Sequence, residues 1–285
     1  MTWVAWRQQR AQILVAFALV AVVAAVMAVV RLDVSSMPND PGLLSDRYNL
    51  FLSYVPMVML PLPVLLGMFA GAPVFAREIE HGTHIFGLTQ SVGRTRWWAT
   101  KLAVAGLPLT IAMAALGAVN AWALAPLNFI MSGRMRTPLF ESQGLVLGAY
   151  TAVAFAIGAT AGLLVRNTMA AMAITLGGYT AALIVVSNAA RPSFADPEYT
   201  TGLLSTDVWR VKSGYLDGAG NPMSIDPDKC GLQTIADCLA AQGVRSEFAW
   251  FHAAERFWGF QAIETGLFAA LTAALLALGA WALHR

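Results

Sequence analysis

Six long apolar stretches dominate the sequence and restrict the chain to membrane-protein folds. They cover residues 13–30, 54–75, 102–125, 145–165, 169–187 and 263–283. A helix needs about 20 mostly apolar residues to cross a bilayer, and backbone groups in lipid must find partners within the segment. We therefore predict an all-α membrane protein with six transmembrane helices.

The composition argues against a soluble enzyme. The 285 residues are 58% apolar and only 12% charged, whereas an average soluble domain is about 25% charged. Too few polar side chains are present to cover a globule of this size. The net charge of +2 is also too small to indicate a nucleic-acid partner.

Basic residues indicate the orientation of the spans. With a cytoplasmic N-terminus, the density of Lys and Arg in the inner segments is roughly twice that in the outer ones. These inner residues are Arg7, Arg10, Arg77, Arg94, Arg96, Lys101, Arg166 and Arg285. The first apolar stretch exceeds the roughly 7–15 residues of a signal-peptide core, so we interpret it as a retained span. We predict a multi-pass protein of the cell membrane with both termini in the cytoplasm.

The loops between the stretches define the predicted domain organisation. Residues 1–187 carry the first five spans and a cytoplasmic coupling loop at 76–101. Residues 188–262 form a polar extracytoplasmic segment, and 263–285 form the sixth span. The prolines and glycines of the polar segment favour irregular structure with short helices, at 232–242 and 247–257. The short link at 166–168 predicts a tight helical hairpin.

The loop at 76–101 has two interpretations. It is a solvated loop, or it contains a short coupling helix that docks onto a cytoplasmic partner. Its string Glu80-His81-x-x-His84 is not a zinc motif, because HExxH needs two histidines at i and i+4 on one continuous helix. We predict no metal site here.

At this loop the chain resembles a known family. The strings A-P-V-F-A-R-E-I-E-H-G-T at 72–83 and T-Q-S-V-G-R-T-R-W-W-A-T-K at 89–101 are similar to permease subunits of type-2 ABC exporters, especially actinobacterial ones. The string R-F-W-G-F-Q-A-I-E at 256–264 and the order of spans and loops agree with this resemblance.

The resemblance implies a complex of two permeases, as a homodimer or heterodimer, with two ATP-binding subunits. ATP and Mg would lie on those partners. Coupling to the ATPase would involve Arg77, Glu78, Glu80, His81, Gly82, Thr83, Gln90, Ser91 and Arg94. The substrate path would include Met57, Met59, Met68, Phe69, Met172, Tyr179 and Glu264.

The chain contains no nucleotide-binding motif of its own. A P-loop needs GxxxxGK[ST], and the nearest string, from Gly87 to Thr95, has the wrong spacing and an arginine in place of the lysine. We therefore predict no cofactor in this chain, no enzymatic activity by itself, and an ATP-hydrolysing translocase only as the whole complex. The spans suit an amphipathic or hydrophobic substrate such as a drug, lipid or peptide.

Two other functional classes remain. One is a secondary transporter driven by an ion gradient, which is typically marked by internal repeats and by ionisable residues at mid-membrane. The sequence shows no repeat, and Glu264 is the only Asp, Glu, Lys, Arg or His within the six stretches. The other class is a non-transporting membrane scaffold or an intramembrane enzyme.

The second stretch contains Pro56, Pro61 and Pro63, with Pro73 near its end. Proline removes a helical hydrogen bond, so these residues predict either a bent helix along a path or a tolerated irregularity. GxxxG strings at residues 67–71 and 158–162 permit close helix approach. They are weak evidence for a dimer.

Glu264 and the two cysteines each have more than one interpretation. Glu264 reaches water at the membrane boundary, pairs with Arg256, or lines the path. Cys230 and Cys238 lie in the predicted extracytoplasmic segment, where an oxidising compartment favours a disulfide. Two free thiols are the alternative.

Overall fold

The computed structural model describes residues 2–38, 40–82, 93–129, 131, 133–202, 204, 208–230 and 234–284. Six helical segments in this part of the chain are long and apolar enough to cross a membrane. They are span one, Gln9–Ser35; span two, Gly42–Glu80; span three, Arg94–Leu127; span four, Val146–Val165; span five, Thr168–Ser193; and span six, Ala254–Leu283. The number and order of the predicted spans are confirmed.

Most spans are a single helix with irregular ends. Helix α1 is Thr2–Ser35, α5 is Arg94–Leu124, α6 is Val146–Val165, α7 is Thr168–Val185 and α9 is Phe257–Leu283. Span two contains α2 (Pro41–Met59), α3 (Leu62–Leu66) and α4 (Pro73–Glu80). Span five continues from α7 through a π-helical turn, Val186–Ala190, and a 3₁₀ turn, Arg191–Ser193.

Span two is interrupted where its prolines predict. Helix α2 stops before Pro61, and a π-helical turn, Gly67–Gly71, precedes Pro73. Because Pro73 has no N–H, the carbonyl of Phe69 lacks its usual helical donor. The side chain of Gln12 in span one supplies one instead, with Nε2 2.8 Å from the Phe69 oxygen. The bend is therefore supported by a specific contact with a neighbouring span.

Span four is the centre of the bundle. It packs against spans two, three, five and six, and 83% of its apolar window is buried. The buried share of the apolar window is only 17% for span one, 22% for span five and 11% for span six. The outer faces of those three spans are thus available to lipid or to another subunit.

The two GxxxG strings pack against each other within this chain. A Cβ atom at Gly158 would lie 2.5 Å from the Gly67 oxygen and 2.7 Å from the Ala72 nitrogen. A Cβ atom at Gly162 would lie 2.4 Å from the Ala72 oxygen. These glycines bring the backbones of spans two and four together, so they no longer indicate a dimer.

Replacing Gly158 by alanine should destabilise the bundle. The added methyl group meets backbone atoms that cannot move aside, and overpacking of this kind typically costs ~1–3 kcal/mol. Gly177→Ala is the matched control, because no atom of the described residues outside its own helix backbone lies within 4 Å of its added Cβ. We expect a lower melting temperature for Gly158→Ala and an unchanged or higher one for Gly177→Ala. Equal melting temperatures would contradict the close packing.

The connection between spans three and four is packed into the bundle. Within its described part, Met131, Met135 and Phe140 are buried. Gln261 of span six donates to the Phe140 carbonyl at 3.1 Å and accepts from the Val146 N–H at 3.2 Å. The backbone groups of Phe140 and Val146 are therefore hydrogen-bonded although they lie buried among the helices.

The predicted hairpin between spans four and five is confirmed. Helix α6 ends at Arg166, which adopts a left-handed conformation with φ 58°. Asn167 then caps α7 by accepting from the Ala170 N–H. The turn fixes the start of span five against the end of span four.

The all-α prediction is wrong for the segment between spans five and six. This segment contains a four-stranded antiparallel sheet in the order β1-β4-β2-β3. Its strands are β1, Glu198–Thr200; β2, Trp209–Leu216; β3, Pro222–Met223; and β4, Ser246–His252. One short helix, α8, covers Ile235–Ala241 within the range predicted to be helical at 232–242.

The helix predicted at 247–257 is also wrong. Residues up to His252 form β4, and only a 3₁₀ turn, Ala254–Arg256, precedes α9. Aromatic side chains on the strand favour an extended chain, and pairing with both β1 and β2 satisfies its backbone. Tertiary pairing thus outweighs local helical propensity.

Cys230 and Cys238 form a disulfide in the structure. The bond joins the region before α8 to the helix itself, where Cys238 is 1% exposed. The state of the two thiols in the living cell remains a prediction. Mass measurement of the non-reduced protein after alkylation should find neither cysteine modified.

The sheet is anchored on span six by aromatic packing around His252. The imidazole lies 4.9 Å from the Phe260 ring centre and 5.5 Å from that of Trp209. Its Nε2 is 3.0 Å from the Pro192 carbonyl, and its Nδ1 is 3.3 Å from Arg256 Nη1. These partners fit a neutral ring that donates from Nε2 and accepts at Nδ1.

The stability of this junction should depend on pH. Burial lowers the pKa of His252 below its ordinary value of 6.5, and the nearby Arg256 adds to this effect. Below about pH 6.5 the unfolded chain binds a proton that the folded chain does not, so stability falls as the pH falls. We expect a smaller drop in melting temperature between pH 7.5 and 5.5 for His252→Gln than for the wild type. An identical drop would show that His252 does not contribute.

Candidate coupling site and a buried ion cluster

The end of span two is tied to two other spans by two carboxylates. Helix α4 carries Glu78 and Glu80 in its last turn, and the C-cap residue His81 follows. The His81 Nδ1 atom lies 2.8 Å from the Arg77 carbonyl. Gly82 follows with φ 69°, a left-handed conformation that glycine adopts without strain. The chain thus turns sharply where the predicted coupling loop begins.

Glu78 forms an ion pair with Lys101 of span three. Lys101 Nζ lies 2.5 Å from Glu78 Oε2 and donates to the Val74 carbonyl at 3.3 Å. The ammonium also lies 5.1 Å from the ring centre of Trp97. Because Lys101 is 8% exposed, the pair is shielded from solvent and holds spans two and three together.

Glu80 connects the same turn to the first residue of α7. Its Oε1 accepts from the Thr168 N–H at 3.1 Å, and its Oε2 accepts from the Thr168 hydroxyl at 2.5 Å. A carboxylate at a helix N-terminus is favoured by the helix dipole and by the free N–H groups there. We call Glu78, Lys101, Glu80 and Thr168 the span-two clasp. A displacement of the loop at 76–101 would reach spans three and five through it.

A polar cleft opens beside the clasp. It has a volume of about 330 Å³ and is lined by residues of spans one, two and three, namely Gln9, Gln12, Pro73, Val74, Arg77, Glu78, His81 and Lys101. Three of the predicted coupling residues line it. Both signs of charge are present, which suits a polar protein segment more than a hydrophobic substrate.

The last four predicted coupling residues follow Gly82 in the sequence. Arg94 is exposed and begins α5. Thr83, Gln90 and Ser91 lie outside the described residues, as does His84. The coupling helix predicted within 76–101 is therefore neither confirmed nor contradicted.

A second cluster of charges is buried among spans four, five and six. Arg191, in the 3₁₀ turn of span five, lies 2.8 Å through Nε and 2.9 Å through Nη2 from the two oxygens of Glu264. Its Nη2 is also 2.7 Å from Glu141 Oε1. The Tyr150 hydroxyl donates to Glu264 Oε1. We call Arg191, Glu264, Glu141 and Tyr150 the ion cluster.

The ion cluster has more acid than base. Arg191 is 1% exposed and both glutamates are 0% exposed, so one guanidinium faces two carboxylates away from water. Buried charges require partners of this kind, because desolvation is costly. Glu141 Oε2 and the Tyr179 hydroxyl are buried without a hydrogen-bond partner among the described residues. The second carboxylate is thus incompletely compensated.

Two interpretations of Glu264 are wrong. It does not reach water, because its side chain is fully buried. It does not pair with Arg256, which instead contacts Glu198 at 2.8 Å on the sheet. The reason is that the 3₁₀ turn after α7 directs Arg191 into the bundle, where it occupies both oxygens of Glu264.

The predicted path residues do not line one surface of this chain. Met57 and Phe69 are 62% and 56% exposed, whereas Met59 and Tyr179 are 2% exposed. Met68 packs against the same apolar cluster as Tyr179, and Met172 packs against a separate one. A common path through these residues is therefore not visible in a single subunit and stays a prediction.

Several residues of the two sites were missed by sequence reasoning. Lys101 was interpreted only as an orientation signal, and Arg191 was placed in the extracytoplasmic segment. Glu141, Tyr150 and Thr168 gave no signal at all, because their partners are far away in the sequence. A basic residue directly after an apolar stretch, as at Arg191, was the one available indication.

Among the described residues, no group of three or more His, Cys, Asp or Glu side chains could hold a metal ion. The ion cluster provides two carboxylates, but Arg191 occupies three of their four oxygens. The clasp and the ion cluster therefore consist of protein groups paired with each other.

Comparison with known proteins identifies the family. The chain matches the model of the ABC-2 membrane transporter related family over residues 17–191, which is more than half of its length. No curated protein and no solved structure gives a match. The matched region includes the span-two clasp and ends at Arg191 of the ion cluster. The chain therefore belongs to the ABC-2 membrane transporter related family, which indicates a multi-pass membrane subunit of an ABC transporter.

Proposed function

We propose that this chain is the permease subunit of an ATP-driven exporter. It would move an amphipathic or hydrophobic substrate, such as a drug, lipid or peptide, out of the cell. Two permeases, identical or related, would pair with two ATP-binding subunits that hold ATP and Mg. The N- and C-termini and the loop at 76–101 would face the cytoplasm, and residues 188–262 would lie outside.

The span-two clasp carries this proposal. Glu78 and Glu80 connect the start of the loop at 76–101 to Lys101 of span three and to Thr168 of span five. A partner that pushes this loop during ATP binding would displace three spans together. The polar cleft beside the clasp provides a surface for such a partner.

Co-purification tests the proposal directly. We would express the tagged chain together with ABC ATP-binding proteins of the same organism and isolate the chain with whatever it retains from the membrane. We expect the chain and an ATP-binding protein to elute together, and the chain alone to hydrolyse no ATP. In proteoliposomes, substrate movement should require MgATP. A chain that binds no ATP-binding protein would refute the proposal.

The ion cluster favours a second candidate, a transporter driven by an ion gradient. Its second carboxylate, Glu141, has one oxygen without a hydrogen-bond partner among the described residues. It is a buried ionisable group of the kind seen in such carriers, which the sequence alone does not reveal. The family match favours the ATP-driven mechanism. Transport that persists without ATP but stops when the proton or sodium gradient is dissipated would favour the second candidate.

A further inference from the structure

A pocket at the end of span three opposite the loop at 76–101 contains an arginine without a carboxylate partner. The pocket has a volume of about 570 Å³ and lies where span three, the connection to span four and the start of span six meet. It is lined by Ala118, Ala121, Trp122, Ala125, Asn128, Arg134, Gly144, Leu145 and Trp258. We propose that it binds an anionic membrane phospholipid whose headgroup pairs with Arg134. This inference does not depend on the proposed transport activity.

Two contacts hold the guanidinium of Arg134 in place at the pocket. Its Nε atom donates to Gln143 Oε1 at 3.1 Å, and its Cζ atom lies 3.6 Å from the ring centre of Phe257. Gln143 is fully buried, so the group that orients the guanidinium belongs to the packed connection. The N–H groups on Nη1 and Nη2 have no acceptor among the residues that the structure describes. These donors are therefore left for a ligand.

The charge of the pocket calls for an anion. Desolvation of the half-buried side chain lowers the pKa of Arg134 to about 10. Arg134 forms no ion pair in the described part of the chain, and no Asp or Glu is among the described residues that line the pocket. A second cation lies close by, since Arg31 Cζ is 5.4 Å from the ring centre of Trp122 in the pocket wall. A phosphate would compensate the guanidinium through charge-assisted hydrogen bonds.

The pocket lies at the level of the lipid headgroups. Trp122 and Trp258 are 52% and 56% exposed, and exposed tryptophan is typical of the membrane interface. Towards mid-membrane, Ala118, Ala121 and Ala125 form one face of span three. The helix rises about 10 Å from Ala118 to Ala125, whereas one leaflet of hydrocarbon is about 15 Å thick. The upper part of an acyl chain therefore fits on this alanine face while its phosphate reaches the arginine.

The unpaired groups of the pocket select a phospholipid over a helix of a second copy. The only acidic residue in the six apolar stretches is Glu264, which is 0% exposed and paired with Arg191. An apolar helix would thus cover Arg134 without supplying an anion, which is unfavourable. Asn128 also lines the pocket, and its buried Oδ1 has no hydrogen-bond partner among the described residues. A headgroup with a hydroxyl beside its phosphate, such as that of phosphatidylglycerol, would satisfy both side chains.

Native mass spectrometry of the full chain tests the headgroup contact. The purified protein is incubated with phosphatidylglycerol or with phosphatidylcholine that carries the same acyl chains, and we expect stronger retention of phosphatidylglycerol. Arg134→Gln should reduce that retention about tenfold, because it removes charge-assisted hydrogen bonds. Arg136→Gln is the matched control, since Arg136 is exposed on the same connection and does not line the pocket. Equal retention by the two variants would overturn the proposal.

The alanine face provides a second test that holds even if Arg134→Gln does not fold. Ala118→Trp, at an exposed position, should reduce the retention of phosphatidylglycerol, whereas Ala115→Trp, exposed on the same helix outside the pocket, should not. Unchanged retention by Ala118→Trp would overturn the site. Displacement of the lipid by excess inorganic phosphate would assign the pocket to a free anion. Loss of chain dimers in Ala118→Trp with the lipid still bound would assign it to a second copy, and either result would overturn the proposal.

Discussion

Arg191→Met is expected to prevent accumulation of the folded protein. The change removes the only guanidinium of the ion cluster and leaves Glu141 and Glu264 facing each other in a buried site. Removing one partner of a buried ion pair typically costs ~3–5 kcal/mol, which is a large part of the stability of most proteins. Size-exclusion chromatography of detergent extracts and thermal denaturation would measure the loss.

The cluster also predicts a partial rescue. With two carboxylates and one guanidinium, its formal charge is −1, and Arg191→Met changes it to −2. Adding Glu264→Gln restores −1, so the double variant should be more stable than Arg191→Met alone. Arg210→Met is the matched control, because Arg210 is exposed on β2. If Arg191→Met and Arg210→Met melt at the same temperature, the ion cluster does not stabilise the fold.

The spans were predictable because the requirement that produces them is local. A bilayer demands about 20 apolar residues in a row, and the sequence shows this directly. The interruption of span two is equally local, since Pro61 and Pro73 each remove a donor from their own helix. The tight hairpin between spans four and five was predictable because the link at 166–168 is only three residues long.

The ion cluster was not predictable because it depends on pairing over long separations. Arg191 and Glu264 are 73 residues apart, and Glu141 is a further 50 residues before Arg191. The helix prediction at 247–257 was wrong for the same reason. The backbone of β4 forms its hydrogen bonds with β1 and β2 rather than with residues nearby in the sequence. Only the folded chain reveals these partners.

The coupling site was half predictable. The family-like string at 72–83 identified Glu78 and Glu80, but a motif does not show what a side chain contacts. The structure adds Lys101 and Thr168, and these define two directions in which a displacement of span two would travel. The contact with Lys101 is buried, whereas the contact with Thr168 is exposed. This difference makes Glu80 the better position for testing coupling without unfolding the chain.

Glu80→Gln is expected to uncouple ATP hydrolysis from transport. The substitution removes the charge that accepts both hydrogen bonds from Thr168 at the start of span five. Since Glu80 is exposed, the substitution should have little effect on stability, and the complex should still assemble. We expect transport per ATP hydrolysed to fall about fivefold, which is the low end of the coupling typically seen between two sites.

Proteoliposomes that contain the assembled complex would provide both rates. Thr168→Val should give a smaller loss than Glu80→Gln, because it removes the hydroxyl donor and leaves the backbone N–H in place. Glu198→Gln is the matched control, since Glu198 on β1 is also exposed and paired, but with Arg256 of the 3₁₀ turn before α9. It should leave the ratio of transport to ATP hydrolysis unchanged. If Glu80→Gln preserves that ratio as well, span five does not receive the movement of span two through this contact.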